Sequence, residues 1–279
     1  SAATVAAERG HNVTLFEAAK EVGGQFNLAK VVPGKEEFHE TIRYFKVQLE
    51  KTGVEVRLNT KVNREQLERE GFDDVIIATG VVPRGLKIEG SDAPNVLSYA
   101  EVLRGAQVGD KVAVIGAGGI GFDVSEYLLK PEHQPQPQPL AEWQREWGVD
   151  PNPNYMTEGG HVPAEVEAPI RQIYLMQRKT TPLGIGLGKT SGWVHRAQLK
   201  KHAVRMMRGV QYKSVSNEGL WVEVNGHDQL LRVDTIVVCA GQESVKELMP
   251  KEGESTLASY HIIGGAKLAG ELDAKRAIR

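Results

Sequence analysis

The feature that most restricts the fold is Asp110-Lys-Val-Ala-Val-Ile-Gly-Ala-Gly-Gly-Ile-Gly121, where a short apolar run meets the spacing Gly116-x-Gly118-x-x-Gly121. A continuous apolar run of this length suits a strand buried on both faces, and residues 122–129 continue with helical periodicity. Each glycine then has a mechanical task. Gly116 permits a tight turn, Gly118 lets the backbone approach a pyrophosphate, and Gly121 lets helix and strand pack closely. The free N–H groups of the helix start face phosphate oxygens. Such glycine spacing arises by chance, but framed by a strand and a helix it specifies a βαβ dinucleotide-binding unit. The fold is therefore expected to be α/β, built on a parallel sheet.

The unit resumes at Gln172-Ile-Tyr-Leu-Met-Gln177. A strand in this position ends in an acid where a ribose 2′-hydroxyl is bound, yet here Gln177 is followed by Arg178 and Lys179. Two cations suit the additional 2′-phosphate of NADP(H), through charge-assisted hydrogen bonds. Residues 130–169 interrupt the unit with eight of the chain's 13 prolines. That composition reads as an inserted surface excursion in extended conformation. Trp143 and Trp147, four residues apart, form a short helical patch that docks on the domain or, as the weaker alternative, binds a partner.

The flanking segments read as a second unit of the same type. Residues 1–9 have the pattern of a helix closed by Gly10 as its cap. His11-Asn-Val-Thr-Leu-Phe16 is a β-rich run ending at Glu17, followed by the pair Gly23-Gly24. The usual order is strand, glycine loop, helix, second strand, acid; the first two of these pieces are lacking, so the chain is expected to open inside a helix. Residues 36–52 form a helix with Phe38, Ile42, Phe45 and Leu49 on one face. Residues 54–58 alternate as a strand, and Asp73-Asp-Val-Ile-Ile-Ala-Thr-Gly80 is an apolar strand ending in a turn. Val233-Asp-Thr-Ile-Val-Val-Cys-Ala-Gly241 echoes it, which implies two nucleotide-binding units in one chain. Residues 220–233 are expected to form a hairpin turning at Asn225-Gly226. The last strand runs into Gly264-Gly265, an anion-seeking arrangement, and a helix is expected from about Glu271.

Other functions are disfavoured. With 34 basic and 36 acidic side chains, the net charge of -2 offers no general attraction to nucleic acid or an anionic membrane. No apolar run approaches the roughly 20 residues that span a bilayer, and no leader pattern is present, so a cytoplasmic location is expected. Cys239 is the only cysteine, which rules out an internal disulfide, a Cys-x-x-Cys redox pair and an iron–sulfur ligand set within these residues. Gly188-Lys189-Thr190 superficially matches the end of a phosphate loop, but Leu183 stands where its first glycine belongs. The glycine-rich stretch 181–193 reads instead as a mobile loop over the nicotinamide. His195, just beyond it, is read as structural in preference to a catalytic base.

Four strings go further: Glu21-Val-Gly-Gly-Gln-Phe-Asn27, Lys111-Val-Ala-Val-Ile-Gly-Ala-Gly-Gly-Ile-Gly-Phe-Asp123, Gly186-Leu-Gly-Lys-Thr-Ser-Gly-Trp-Val-His-Arg196 and Gly270-Glu-Leu-Asp-Ala-Lys-Arg-Ala-Ile278. In them the chain resembles the C-terminal, FAD- and NADPH-binding region of the bacterial 2,4-dienoyl-CoA reductase family, flavoproteins akin to old yellow enzyme and trimethylamine dehydrogenase. The resemblance implies two Rossmann-like domains: an FAD domain split between residues 1–107 and 234–279, and an NADPH domain at 108–233. It implies that Glu17 holds the FAD adenosine ribose and that Gly23, Gly24 and Gln25 lie along that cofactor. Ala78, Thr79, Gly80, Gly264, Gly265 and Ala266 would line the flavin side. Gly116, Gly118, Gly119 and Gly121 would carry the NADPH pyrophosphate, with Arg178 and Lys179 near the 2′-phosphate. In that family electrons pass from NADPH to FAD, then through a 4Fe–4S cluster to FMN in an N-terminal barrel domain. Neither the barrel nor its cofactor sites are among these residues. Lys267 stands where this flavoprotein class commonly has an aspartate for the ribityl chain.

Overall fold

The computed structural model describes residues 1–129, 138–152 and 160–270. In chain order its elements are α1 (Ala2–Glu8), β1 (Thr14–Phe16), α2 (Phe26–Ala29), α3 (Phe38–Lys51), β2 (Glu55–Arg57), α4 (Arg64–Glu70), β3 (Asp74–Ile77) and β4 (Val81–Pro83). They continue with β5 (Val96–Ser98), α5 (Tyr99–Leu103), β6 (Lys111–Ile115), α6 (Gly119–Leu128), α7 (Leu140–Trp147), β7 (Gln172–Met176), α8 (Gly192–Lys201) and β8 (Arg205–Met207). The last are β9 (Val210–Ser216), β10 (Gly219–Val224), β11 (His227–Leu231), β12 (Thr235–Val238), β13 (Gln242–Ser244), β14 (Ser259–Ile262) and α9 (Gly264–Lys267). The helix expected from Glu271 lies outside the described residues.

The chain divides into two compact units, one of residues 1–29, 37–82 and 242 onward, the other of residues 30–36 and 83–241. These borders differ from 107 and 233, because strand pairing outweighs sequence order. β5 and β12 both lie in the sheet of β6, so the residues carrying them belong to the second unit.

That second unit is a five-stranded parallel sheet in the order β5-β12-β6-β7-β8. Val112, Ala113, Val114 and Ile115 of β6 are all buried, as a central parallel strand requires. On one face α6 packs on β6 and β7, with α5 and α8 beside it. On the other, Ala113, Ile115, Met176 and Ile236 meet Val210, Leu220, Val222 and Leu231 of the antiparallel sheet β9-β10-β11. The alternation of side chains along a strand thus feeds two cores at once. The β10–β11 hairpin turns at Asn225 and Gly226, whose φ values of 53° and 78° are those of a type I′ turn.

Among the described residues of the 130–169 insertion, the short helical patch expected at Trp143 and Trp147 is helix α7, which docks on α8. The helix is anchored by the buried Glu146, whose carboxylate accepts from Gln138 Nε2 at 2.8 Å and Gln198 Nε2 at 2.7 Å. Lys201 Nζ lies 3.5 Å from the Trp147 ring centroid, a cation–π contact. Proline content marked the segment as irregular; a buried carboxylate satisfied by α8 holds part of it in place.

In the first unit, β1 pairs with β2 and β3 with β14, both in parallel. Among the described residues these remain separate two-stranded pairs. Leu67, Val75, Ile77 and Ala266 form the core, with Phe16 and Ile262 packed against it. Helix α1 ends with Gly10 N–H on Ala7 O and His11 N–H on Ala6 O, the double bond of a Schellman cap, at φ 93° for Gly10. Helix α3 closes the same way through Gly53 and Val54, and buried Val54 continues the apolar stripe of Ile42 and Leu49.

Candidate nucleotide sites

The glycine turn lies at the C-terminal edge of β6, between β7 on one side and β12 on the other. This is where connections leave a parallel sheet in opposite directions and a crevice opens. Helix α6 starts at Gly119, three residues before the periodicity indicated, with Gly118 as its N-cap. The turn is closed towards the protein and open away from it. A Cβ on Gly116, at φ 109°, would strike the Cys239 carbonyl, and one on Gly121 would strike the Gly116 carbonyl. At Gly118 and Gly119 a Cβ would meet nothing within 4 Å. Backbone N–H groups at the start of α6 therefore face free space, a cradle that fits a pyrophosphate.

At the end of β7, Gln177 takes a structural task, its Nε2 donating to Thr181 O at 2.6 Å and Lys179 O at 3.2 Å. Arg178 and Lys179 are exposed just beyond, and no acid stands at this strand end. Gly209 N–H donates to Lys179 O, which sets the loops after β7 and β8 side by side.

Loop 182–191 folds back on α6. Gly184, at φ 71°, lies so near the Phe122 ring that a Cβ would be 2.7 Å from Cζ, and Arg196 Nη1 donates to Gly184 O at 3.0 Å. His195 Nδ1 is 2.7 Å from Glu126 Oε1, joining α8 to α6. This hydrogen bond holds the imidazole pKa above its ordinary value against the cost of burial, and Asp123 adds to the effect. Asp123 is itself ion-paired with Lys35. Buried Cys239 has its thiol pKa pushed up by burial and then by Asp123, so it stays protonated and inert. Sequence reasoning identified His195 as structural but missed Glu126, Asp123 and Lys35. Nothing local marks them, because only helix packing pairs these positions.

In the first unit, Glu17 directly follows β1 half-buried, and its Oε1 accepts from Ala19 N–H at 2.8 Å. Gly23 and Gly24 both have positive φ, 130° and 49°, and a Cβ on Gly23 would meet Asn27 Nδ2 at 2.7 Å. Gln25 Nε2 donates to Val81 O at 3.4 Å. The segment of Ala78, Thr79 and Gly80 meets that of Gly264, Gly265 and Ala266: a Cβ on Gly265 would be 2.9 Å from Val81 Cγ1 and 3.4 Å from Gly80 Cα. Thr79 Oγ1 donates to Val245 O at 2.6 Å and Ser244 Oγ donates to Gly265 O at 2.7 Å. Ser244 and Val245, which no motif announced, thus bind the two segments together. Lys267 is exposed beside them.

The model of the pyridine nucleotide-disulphide oxidoreductase family matches residues 1–263. The chain belongs to that family. A metal reductase of Desulforamulus reducens is 29% identical over 261 residues, covering 88% of this chain and 36% of the reductase. The structure is similar to that of a 2-naphthoyl-CoA reductase, with a TM-score of 0.77 and 25% identity over 99% of this chain and 36% of the other. It also shares its fold with the thioredoxin reductase of T. acidophilum, with a TM-score of 0.63 at 14% identity, covering 99% of this chain and 89% of that one. The chain thus spans about a third of the first two proteins.

Family membership implies binding of a flavin and a nicotinamide nucleotide. At the start of α6 the space above Gly118 and Gly119 is open. Among the described residues no group of His, Cys, Asp and Glu could hold a metal ion, and no helix is long and apolar enough to cross a membrane.

Proposed function

We propose that this chain is the electron-input module of an NADPH-dependent reductase of the 2,4-dienoyl-CoA reductase type. The observation that carries the reading is the turn at β6, open above Gly118 and Gly119, together with exposed Arg178 and Lys179 where an acid would favour NAD. When both nucleotides are bound, the nicotinamide supplies a hydride and the flavin accepts it. The protein's part is to hold and orient them. Gly116, Gly118, Gly119 and Gly121 hold the NADPH pyrophosphate, and Arg178 and Lys179 its 2′-phosphate. Glu17 holds the FAD ribose, with Gly23, Gly24 and Gln25 along the cofactor and Ala78, Thr79, Gly80, Gly264, Gly265 and Ala266 at the flavin. Likeness to a 2-naphthoyl-CoA reductase supports an unsaturated acyl-CoA as final electron acceptor. Its reduction needs an FMN site and a 4Fe–4S cluster, which one buried cysteine does not supply. We assign that step to a barrel domain of the same polypeptide.

A second reading is a nucleotide-binding domain without redox activity, as in the related amine dehydrogenases. An anaerobic visible spectrum separates the two. The purified chain is incubated with excess FAD, desalted and mixed with NADPH or NADH. Retained flavin that bleaches faster with NADPH supports the electron-input reading, whereas a colourless protein or unreactive flavin overturns it.

A further inference from the structure

Helix α6, whose start is the open glycine cradle, carries two acids in its next turns, Asp123 and Glu126, with side chains only 19% and 11% exposed. Lys35 pairs with Asp123, and His195 Nδ1 lies 2.7 Å from Glu126 Oε1. With His195 protonated, two positive groups meet two negative ones. With His195 neutral, one negative charge is left over on the helix that begins at the cradle. We propose that Glu126 and His195 are positioning residues for the nicotinamide nucleotide, a charge-balancing pair whose loss of a proton lowers affinity for that anionic ligand. The inference rests on the reading of the second unit as the site of this nucleotide.

The geometry places the pair within electrostatic reach of the cradle. Glu126 follows Gly119 by seven residues, about 10 Å along the helix axis. Burial limits screening, so an unbalanced carboxylate there acts on a pyrophosphate at the helix start and opposes the positive end of the helix dipole. At an effective dielectric constant of about 20, partly screened by salt, a unit charge at that distance changes affinity by roughly three- to tenfold.

His195 is the group in this cluster whose charge changes near neutral pH. The charges that act on it are Glu126 and Asp123 from α6 and Lys35 from segment 30–36. Its neighbour Arg196 is turned to loop 182–191, where it donates to Gly184 O, and Lys189 of that loop is exposed. Towards α7, Lys201 lies 3.9 Å from Glu146. The Glu126 bond raises the imidazole pKa, so affinity is complete below the ordinary value of 6.5 and falls as pH rises through the raised value.

Fluorescence titration of the full chain with NADPH and NADH, from about pH 6 to about pH 9, tests the pair in wild type, Glu126→Gln and His195→Asn. Wild type should lose affinity for both nucleotides by roughly three- to tenfold across this range. NADH is included because it lacks the 2′-phosphate, whose own titration would otherwise enter. Glu126→Gln keeps an oxygen for the Nδ1 bond and removes the negative charge, so it should stay tight at high pH. His195→Asn keeps a donor and removes the positive charge, so it should bind weakly at every pH, and adding Glu126→Gln to it should restore affinity. A contact that merely fastened α8 to α6 would shift both single variants in the same sense. Parallel shifts, or a wild-type affinity independent of pH, therefore overturn the proposal and leave the nucleotide reading intact, whereas a wild-type chain that binds neither nucleotide overturns both. If His195→Asn does not fold, NMR titration of His195 in the wild-type chain decides: by linkage, bound NADPH must raise its pKa, and an unmoved titration overturns the pair.

Discussion

Replacing Gly121 by alanine should separate the mechanical task of this glycine from the binding task of its neighbour. The new Cβ would fall on the Gly116 carbonyl oxygen, 2.9 Å from the carbonyl carbon and 3.4 Å from Leu175 Cδ1. Gly116 has no room to yield. Its N–H donates to Met176 O at 2.8 Å, and its own Cβ position is 2.7 Å from the Cys239 carbonyl carbon. Helix α6 must therefore move off β6. Overpacking typically costs about 1–3 kcal/mol, and with backbone as the obstacle the upper end, about 3 kcal/mol, applies. Alanine's better helix propensity returns about 1 kcal/mol, leaving a net loss of about 2 kcal/mol. For a domain of this size that lowers the thermal midpoint by roughly 4–8 °C. Gly119→Ala is the counterpart. Its Cβ meets nothing and its φ is outside the left-handed region, so stability should hold or rise by up to about 1 kcal/mol. The methyl group would nevertheless stand in the space reserved for the pyrophosphate and weaken NADPH. Circular dichroism melting and fluorescence titration of NADPH read the two effects. A Gly121→Ala protein that melts like wild type, or a Gly119→Ala protein that binds NADPH like wild type, would refute the reasoning.

Arg178→Ala and Lys179→Ala should weaken NADPH more than NADH; equal losses for the two in a binding titration would exclude a 2′-phosphate role. Ala203 occupies a left-handed position at φ 56° in the cap that ends α8, so Ala203→Gly should stabilise by about 1 kcal/mol, seen as a higher midpoint in urea. The Glu254 carboxyl is held down to about 2 by its bond to Arg64 and then by the Lys251 N–H, from an ordinary value of 4.5. Its contribution is present above pH 4.5 and lost as pH falls towards 2, a loss that should be smaller in Glu254→Gln when urea midpoints at neutral and acid pH are compared. The raised pKa of His195 has the opposite sign. The stability it contributes is complete below its ordinary value of 6.5 and disappears as pH rises through the raised value, and Glu126→Gln should flatten that dependence.

The residues alone determined the parts of this protein whose physics is local. The apolar run into Gly116-x-Gly118-x-x-Gly121, the Asn225-Gly226 turn and the Gly10 cap are each governed by backbone conformations accessible to few residues, so they were legible without a fold. The helical stripe of Phe38, Ile42, Phe45 and Leu49 was legible for a similar reason, because periodicity states which face is buried. Tertiary structure decided what depends on pairing between distant segments. It assigned β5 and β12 to the second unit, moved the domain borders to 82 and 241, and anchored α7 through Glu146. It also brought Glu126 to His195 and Ser244 and Val245 to the clasp around Gly80. Bonds of this kind join groups 13 residues apart, as from Arg57 to Glu70, or 166 apart, as from Thr79 to Val245 O, and no local pattern encodes such a partner. Strand order and helix packing choose it, because they alone bring the two groups within bonding distance.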